Sequence, residues 1–294
     1  MEELSFKNHY GDTLFGSKWE IENPQKILII VTGMAEHSER YDDFATFLNN
    51  NGFSVYSLDH YGQGKNKGDM NPGKDYFFKM QETIKEFAAL LKEEFNLPLY
   101  LLAHSMGSFV TQGYIEKYSN TIDKVVIMGT NGPTPLFKMG KALTSICVTK
   151  KNYNKKAGFL HSLSLGAYEK TVKGEASCNA WISYNKDNVI NYDNDPLCGV
   201  KPTNGFYKEF MKGLASIQKP KNVKNIRKDL PILLVAGKDD PVGNNGKGVK
   251  KLLKLYSKYD LNVNMILYKE MKHEILNEKD HDLVYKDILN FFDK

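Results

Sequence analysis

Short apolar runs alternate along the chain with longer stretches in which apolar residues recur every three or four positions. The runs Ile27 to Val31 (ILIIV), Phe53 to Leu58, Leu99 to Ala103 (LYLLA), Val125 to Met128 (VVIM), Ile232 to Ala236 (ILLVA) and Val263 to Tyr268 read as strands. A strand that is apolar on both faces belongs in a sheet covered on both sides. Between the second and third runs, Phe77, Met80, Ile84, Phe87, Leu91 and Phe95 mark one face of a helix. Further helices are predicted from Ser105 to Tyr118, around Val249 to Tyr259, and over the C-terminal stretch with Leu283, Val284, Ile288, Leu289, Phe291 and Phe292. Strands alternating with helices predict an α/β fold with a mostly parallel central sheet and helices on both faces.

The alternation stops at Gly132 and resumes only after Gln218. That interval is too long for a loop in a compact domain. It reads as an inserted, mainly helical cap (residues 132–218) in a core made of residues 1–131 and 219–294, with PKNVKNIR (Pro220 to Arg227) as the return connection.

Composition narrows the function. Forty basic against thirty-five acidic residues leave a net charge of +5 on 294 residues, and no basic stretch is interleaved with aromatics, so nucleic acid is not expected as a partner. Cys147, Cys178 and Cys198 are odd in number and form no CxxC pair, which predicts no disulfide framework and a reducing, cytoplasmic setting. The first residues carry no signal-peptide pattern, and no run of about 18 apolar residues offers a transmembrane helix.

Two motifs with false leads can be set aside. DHYGQGKN (Asp59 to Asn66) fails the phosphate-loop pattern at both ends, with Asp59 where the first glycine belongs and Asn66 where the hydroxyl belongs. HEILN is not a zinc helix, because Asn277 stands where the second histidine is needed. No other metal-ligand cluster is apparent, and no cofactor is predicted.

The segment rich in chemistry is LYLLAHSMG. An apolar strand runs into Ala103-His104-Ser105-Met106-Gly107 and a helix follows, the context of a G-x-S-x-G nucleophile elbow with alanine in the first position. Small residues are needed at both ends because strand and helix crowd a tight turn. Such a turn exposes the Ser105 hydroxyl at the carboxyl end of the sheet, where the following helix N-terminus favours developing negative charge. A serine needs a base. His104 is its sequence neighbour and diverges from it, whereas His273 follows the last strand by a few residues and falls at the same sheet edge. A carboxylate to orient His273 is offered by LLVAGKDDPV. Asp240 is preferred because Pro241 stiffens the turn, with Asp239 as the alternative. The oxyanion hole requires two backbone N–H groups. Met106 supplies one, and Met34, in the loop Thr32-Gly33-Met34-Ala35-Glu36-His37, supplies the other. The chain order Ser105, Asp240, His273 is that of α/β-hydrolases.

GMAEHSERY (Gly33 to Tyr41), DHYGQGKN, AHSMG, GKDDPV (Gly237 to Val242), HEILNE (His273 to Glu278) and the stretches NDPLCG and KPTNGFYKEFMKG between Asn194 and Gly213 together resemble the monoacylglycerol lipase and lysophospholipase branch of the α/β-hydrolases. By position, the resemblance places nucleophile, acid and base on Ser105, Asp240 and His273 and the oxyanion donors on Met34 and Met106. It implies a serine carboxylester hydrolase acting on monoacylglycerol or lysophospholipid-type esters through an acyl-enzyme. Aminopeptidase, thioesterase or acyltransferase chemistry is the alternative on the same scaffold. It further implies a cap over an apolar acyl pocket, for which Phe137, Met139, Leu143, Ile146 and Phe159 are candidates. Lys150, Lys151, Lys155 and Lys156 form a basic cap rim, which reads either as solvated charge or as a site of transient contact with an anionic membrane surface. This chain departs from the branch at Thr32, where histidine is usual, and at Ala103. The oligomeric state is not legible in the sequence.

Overall fold

The computed structural model describes residues 1–294. Eight strands form one sheet in the order β1-β2-β4-β3-β5-β6-β7-β8. They are β1 (Glu2–Lys7), β2 (Thr13–Trp19), β3 (Lys26–Val31), β4 (Phe53–Leu58), β5 (Leu99–His104), β6 (Lys124–Met128), β7 (Ile232–Gly237) and β8 (Val263–Tyr268). From β4 to β8 every pairing is parallel, while β1 and β2 join antiparallel at one edge.

Alternate residues of each inner strand feed two separate cores, as the two-residue period of a strand requires. Ile27, Ile29, Leu99, Leu101, Val125, Ile127, Ile232 and Leu234 face one side. There they pack under α2 (Tyr76–Phe95), α3 (Met106–Tyr118) and α10 (Lys247–Ser257). Leu28, Ile30, Leu102, Val126, Leu233 and Val235 face the other, under α1 (Asp42–Asn49) and α11 (His281–Asp293). This double burial is why the inner strands read as continuous apolar runs.

Between β6 and β7 the chain forms α4 (Pro135–Cys147), α5 (Gly158–Leu163), α6 (Leu165–Glu169), α7 (Lys186–Asn194) and α8 (Asn204–Leu214), and α9 (Pro220–Val223) leads back to the sheet. No strand forms in this interval. Thr134, Asn185 and Thr203 cap α4, α7 and α8 by accepting N–H groups of the first turn.

Parallel strands point their carboxyl ends to one rim, so the loops after β3, β5, β6, β7 and β8 meet there. The meeting of β5 and α3 is possible only because residue 107 is glycine. A Cβ on Gly107 would run into the carbonyl oxygens of Val31 and Thr32 at the end of β3.

Candidate active site

Ser105 sits between β5 and α3 at φ 49° and ψ −117°. A non-glycine residue in such a conformation costs on the order of 1–3 kcal/mol and persists only where its surroundings impose it. Here its N–H donates to the Met128 carbonyl at 3.0 Å, pinning the turn to the end of β6. Its side chain stays half-buried at the rim.

Beside it, the carboxyl end of β6 turns at Gly129, with φ 61°. A Cβ at Gly129 would stand 3.0 Å from His273 Cε1, so the glycine leaves room for the imidazole. Ser105 and His273 therefore flank the same two residues, Met128 and Gly129. Buried His273 lies with its Nδ1 3.0 Å from Asp240 Oδ1, and Asp240 is fully buried. Asp240 Oδ1 also accepts the Val242 N–H at 2.8 Å, which fixes the carboxylate within its turn. Asp239 is exposed, with its Oδ2 3.3 Å from the Tyr184 hydroxyl; of the two aspartates, only Asp240 meets the imidazole. The His273 ring is further held between His104, at 4.7 Å between centroids, and Trp181, at 5.2 Å. His273 Nε2 has no partner in the chain, and the Ser105 hydroxyl is not hydrogen-bonded to it.

The loop after β3 has an instructive pattern of N–H groups. The Gly33 N–H donates to Glu36 Oε1 and the Ala35 N–H donates to Gln63 Oε1 at 2.5 Å. Between them, the Met34 N–H has no acceptor in the chain, and neither does the Met106 N–H at the start of α3. Met106 follows Ser105 in the chain, and a Cβ on Gly33, next to Met34, would stand 3.1 Å from Ser105 Cβ, so both unpaired donors belong to segments that adjoin the serine. DHYGQGKN, which fails as a phosphate loop, serves this loop instead. Gln63 holds Ala35, and Asp59 accepts the N–H groups of Ser38 and Lys65 at 2.7 and 2.9 Å. His60 Nε2 lies 2.9 Å from the Thr32 carbonyl oxygen. Burial pushes His60 down to about 4, so the ring is neutral and its Nε2–H is the donor to Thr32. The Thr32 side-chain oxygen is buried without a partner.

A buried polar cluster lies immediately behind. Glu36 Oε1 also meets His104 Nδ1 and the Tyr41 hydroxyl, each at 2.9 Å. Arg40 forks onto both oxygens of Glu274 at 2.7 Å and reaches Glu36 Oε2 at 3.0 Å. Burial alone would raise the carboxyl pKa of Glu36 and of Glu274. The His104 and Arg40 charges for Glu36, and Arg40 for Glu274, outweigh it and hold both below the usual range. Burial opposes a charge on His104, but the Glu36 carboxylate raises it. His104, set aside as a base from its position in the sequence, is thus engaged with Glu36.

Among groups that bind metals, His37, Asp195 and Cys198 bring ligand atoms within 4.8 Å of one another. His37 Nε2 is hydrogen-bonded to Asp195 Oδ2 at 2.7 Å, and Arg40 places a positive charge beside Cys198. Both features disfavour a cation at that spot. All three cysteines are free.

The five apolar candidates from the β6–β7 interval separate. Phe137 packs edge-on against Phe109 at 5.8 Å, one turn into α3 from Ser105, and Leu143 is half-buried. Met139, Ile146 and Phe159 are 62%, 79% and 61% exposed. Trp181 and Tyr168, whose rings lie 5.2 Å apart, were not legible as site residues. Burial first, and the Asp240 carboxylate second, push the Tyr168 hydroxyl up to about 12.

Known proteins carry the same architecture. A carboxyl esterase from Bacillus coagulans, solved in complex with glycerol, superposes with a TM-score of 0.90 at 26% identity, covering 99% of this chain and 97% of that one. Human monoglyceride lipase is 26% identical over 288 residues, 94% of this chain and 87% of its own. Phospholipase YtpA of Bacillus subtilis is 24% identical over 285 residues, 94% of this chain and 98% of its own. The Hydrolase_4 family, described as serine aminopeptidase S33, matches residues 22–280. With most of its length matched and an eight-stranded α/β-hydrolase sheet beneath, the chain belongs to the Hydrolase_4 family, in which it is similar to the monoacylglycerol lipase branch.

Proposed function

We propose that this enzyme is a serine carboxylester hydrolase for monoacylglycerol or lysophospholipid-type esters. The observation that carries the reading is the pair of unpaired N–H groups, Met34 and Met106, in the segments adjoining a strained serine, with the buried His273–Asp240 pair at the same rim. His273 Nε2 takes the Ser105 proton as the hydroxyl attacks the ester carbonyl. The tetrahedral oxyanion is held by the Met34 and Met106 N–H groups, in an environment where oriented donors act without reorganisation. The collapsing intermediate returns the proton to the leaving alcohol, and water repeats the cycle on the acyl-enzyme. The Ser105–His273 contact closes when substrate binds, as such contacts commonly do. Asp240 accepts the His273 Nδ1–H and so fixes the tautomer in which Nδ1 carries a proton.

Residues 132–218 act as a cap over this site, and residues 1–131 and 219–294 as the hydrolase core. Phe137 and Leu143 contribute to the acyl pocket. A lipid ester is favoured over a peptide because a free amine needs an unpaired carboxylate to receive it. Glu36 and Glu274 are committed to Arg40, Asp195 to His37 and Asp193 to Asn179, while Asp187, whose carboxylate has no partner, is exposed to solvent in the first turn of α7. The names of the relatives, monoglyceride lipase and phospholipase, support the same choice. The test is a panel of monoacylglycerols, lysophospholipids and p-nitrophenyl esters of graded chain length, with aminoacyl amides alongside. Long-chain ester turnover is expected to exceed amide turnover by at least about 100-fold, since the site holds no amine anchor worth a buried ion pair. Amide turnover equal to or above ester turnover would refute the reading.

The exposed side of the cap completes it. Leu136, Met139 and Ile146 share one face of α4, and Phe159 and Leu163 lie on α5, all more than half exposed. Lys138 and Lys141 on α4 and Lys150, Lys151, Lys155 and Lys156 between α4 and α5 are exposed as well. We infer transient docking on an anionic lipid surface, apolar side chains entering and lysines meeting headgroups. Burying a leucine side chain contributes about 1.5–3 kcal/mol. Leu136→Glu with Leu163→Glu is therefore expected to lower binding to phosphatidylserine-containing vesicles at least tenfold in a flotation assay. Unchanged flotation, or none by the parent protein, would contradict docking.

A further inference from the structure

The Arg40 guanidinium touches three parts of the molecule that are distant in sequence. One is the loop after β3, through Glu36, whose Oε1 accepts the Gly33 N–H next to Met34. The second is the His273 loop, through both oxygens of Glu274 at 2.7 Å. The third is α7 of the proposed cap, through Asn188 Oδ1 at 3.0 Å and the Tyr192 ring, whose centroid lies 4.9 Å from the guanidinium carbon. The same cap segment reaches the oxyanion loop directly. The Tyr192 hydroxyl and the Gly199 N–H both donate to the Ala35 carbonyl at 3.0 Å. Asn188 also donates to Glu274 Oε2 at 2.7 Å. Residues 33 and 35, on either side of Met34, are therefore both fastened to a cluster that is complete only when α7 is docked.

We propose that Arg40 is a positioning residue that couples docking of α7 to the aim of the Met34 N–H, so that the oxyanion hole is assembled only beneath a closed cap. This rests on Met34 being an oxyanion donor. Arg40 does not touch the reacting atoms. It acts through Glu36, which anchors Gly33, and through Glu274, which is bonded in sequence to His273. Lysine is a poor substitute, because the planar fork engages Glu274 with two parallel N–H groups while the remaining N–H groups reach Glu36 and Asn188.

The effect of losing an oxyanion donor sets the scale, about 100- to 1000-fold in kcat. Arg40→Ala is expected to lower kcat about 100-fold with KM within threefold. The loss should be equal for acetyl and long-chain esters, because the oxyanion forms on every acyl group. Arg40→Lys should recover less than a tenth of the lost rate. Millimolar guanidinium added to Arg40→Ala should restore kcat about tenfold where methylammonium at the same concentration does not. A folded Arg40→Ala enzyme with kcat within twofold of the parent would overturn the proposal. So would a loss confined to KM or to long-chain esters, which is the mark of cap packing alone. Should Arg40→Ala fail to fold, Tyr192→Phe removes only the hydroxyl on Ala35. It is expected to lower kcat several-fold for acetyl and long-chain esters alike, and an unchanged kcat would again overturn the coupling. Because the parent enzyme is assayed throughout, its own failure to hydrolyse any ester would count against the proposed function and not against Arg40.

Discussion

Ser105→Ala is expected to lower ester turnover by about 10⁵- to 10⁶-fold, close to what removal of the nucleophile costs in other serine hydrolases, with little change in thermal stability. The substitution deletes one half-buried oxygen that makes no hydrogen bond within the chain. It leaves the φ of 49° and the N–H bond to Met128 in place, because alanine carries the same Cβ. The residual rate should reflect binding and the two N–H donors alone. Activity above one per cent of the parent in a folded Ser105→Ala protein would mean that another group attacks the ester.

Asp240→Asn is expected to lower kcat about 10⁴-fold while KM stays within a few-fold. The buried carboxylate accepts from His273 Nδ1 and from the Val242 N–H on one oxygen. Because both bonds fall on Oδ1, an asparagine with its carbonyl there keeps both contacts but loses the charge that stabilises the imidazolium formed when Nε2 takes the Ser105 proton. The flipped amide sets its nitrogen against Nδ1 and drives the ring toward the tautomer with the proton on Nε2, which cannot take one from Ser105. Asp239→Asn is the control. That residue is exposed and not in contact with His273, so its turnover should remain within about twofold, the range of a surface change. If the two variants fall together, the assignment of Asp240 is wrong.

How much of this was legible in the sequence depends on whether a feature is local. Leu99 to Ala103 and Phe53 to Leu58 are apolar on both faces because each face is separately covered, so their boundaries could be read within a residue or so. The order of the elements then determined which loops share the carboxyl rim, and so placed Ser105, His273 and the Asp239–Asp240 pair together. The choice between the aspartates is a matter of which side chain turns inward, which Pro241 suggested without deciding. The edge pair β1 and β2 was missed. β1 is mostly exposed, and β2 places buried Ser17 and half-buried Lys18 among its buried positions, so the apolar alternation of the pair, Leu4 and Phe6 opposite Gly16 and Leu14, is short and mild.

Contacts between distant segments left weaker traces. Glu36 and Arg40 stand four apart, the spacing of a helical ion pair, but nothing in the chain indicates that Arg40 also grips Glu274, 234 residues away. Trp181, packed on His273, lies in the irregular interval where no period predicts which face turns inward. For the same reason Met139, Ile146 and Phe159 read as pocket residues when they are exposed. An apolar residue on a helix between β6 and β7 suits a buried or an exposed position equally well, and only the packing of that helix separates the two.

The most direct measurement is mass spectrometric location of a fluorophosphonate adduct after proteolysis. One phosphonyl group per chain, on the peptide carrying Ser105 and absent when His273 is replaced by alanine, is the expected result. An adduct on any other residue, or full ester hydrolysis by a protein that the probe leaves unmodified, would contradict it.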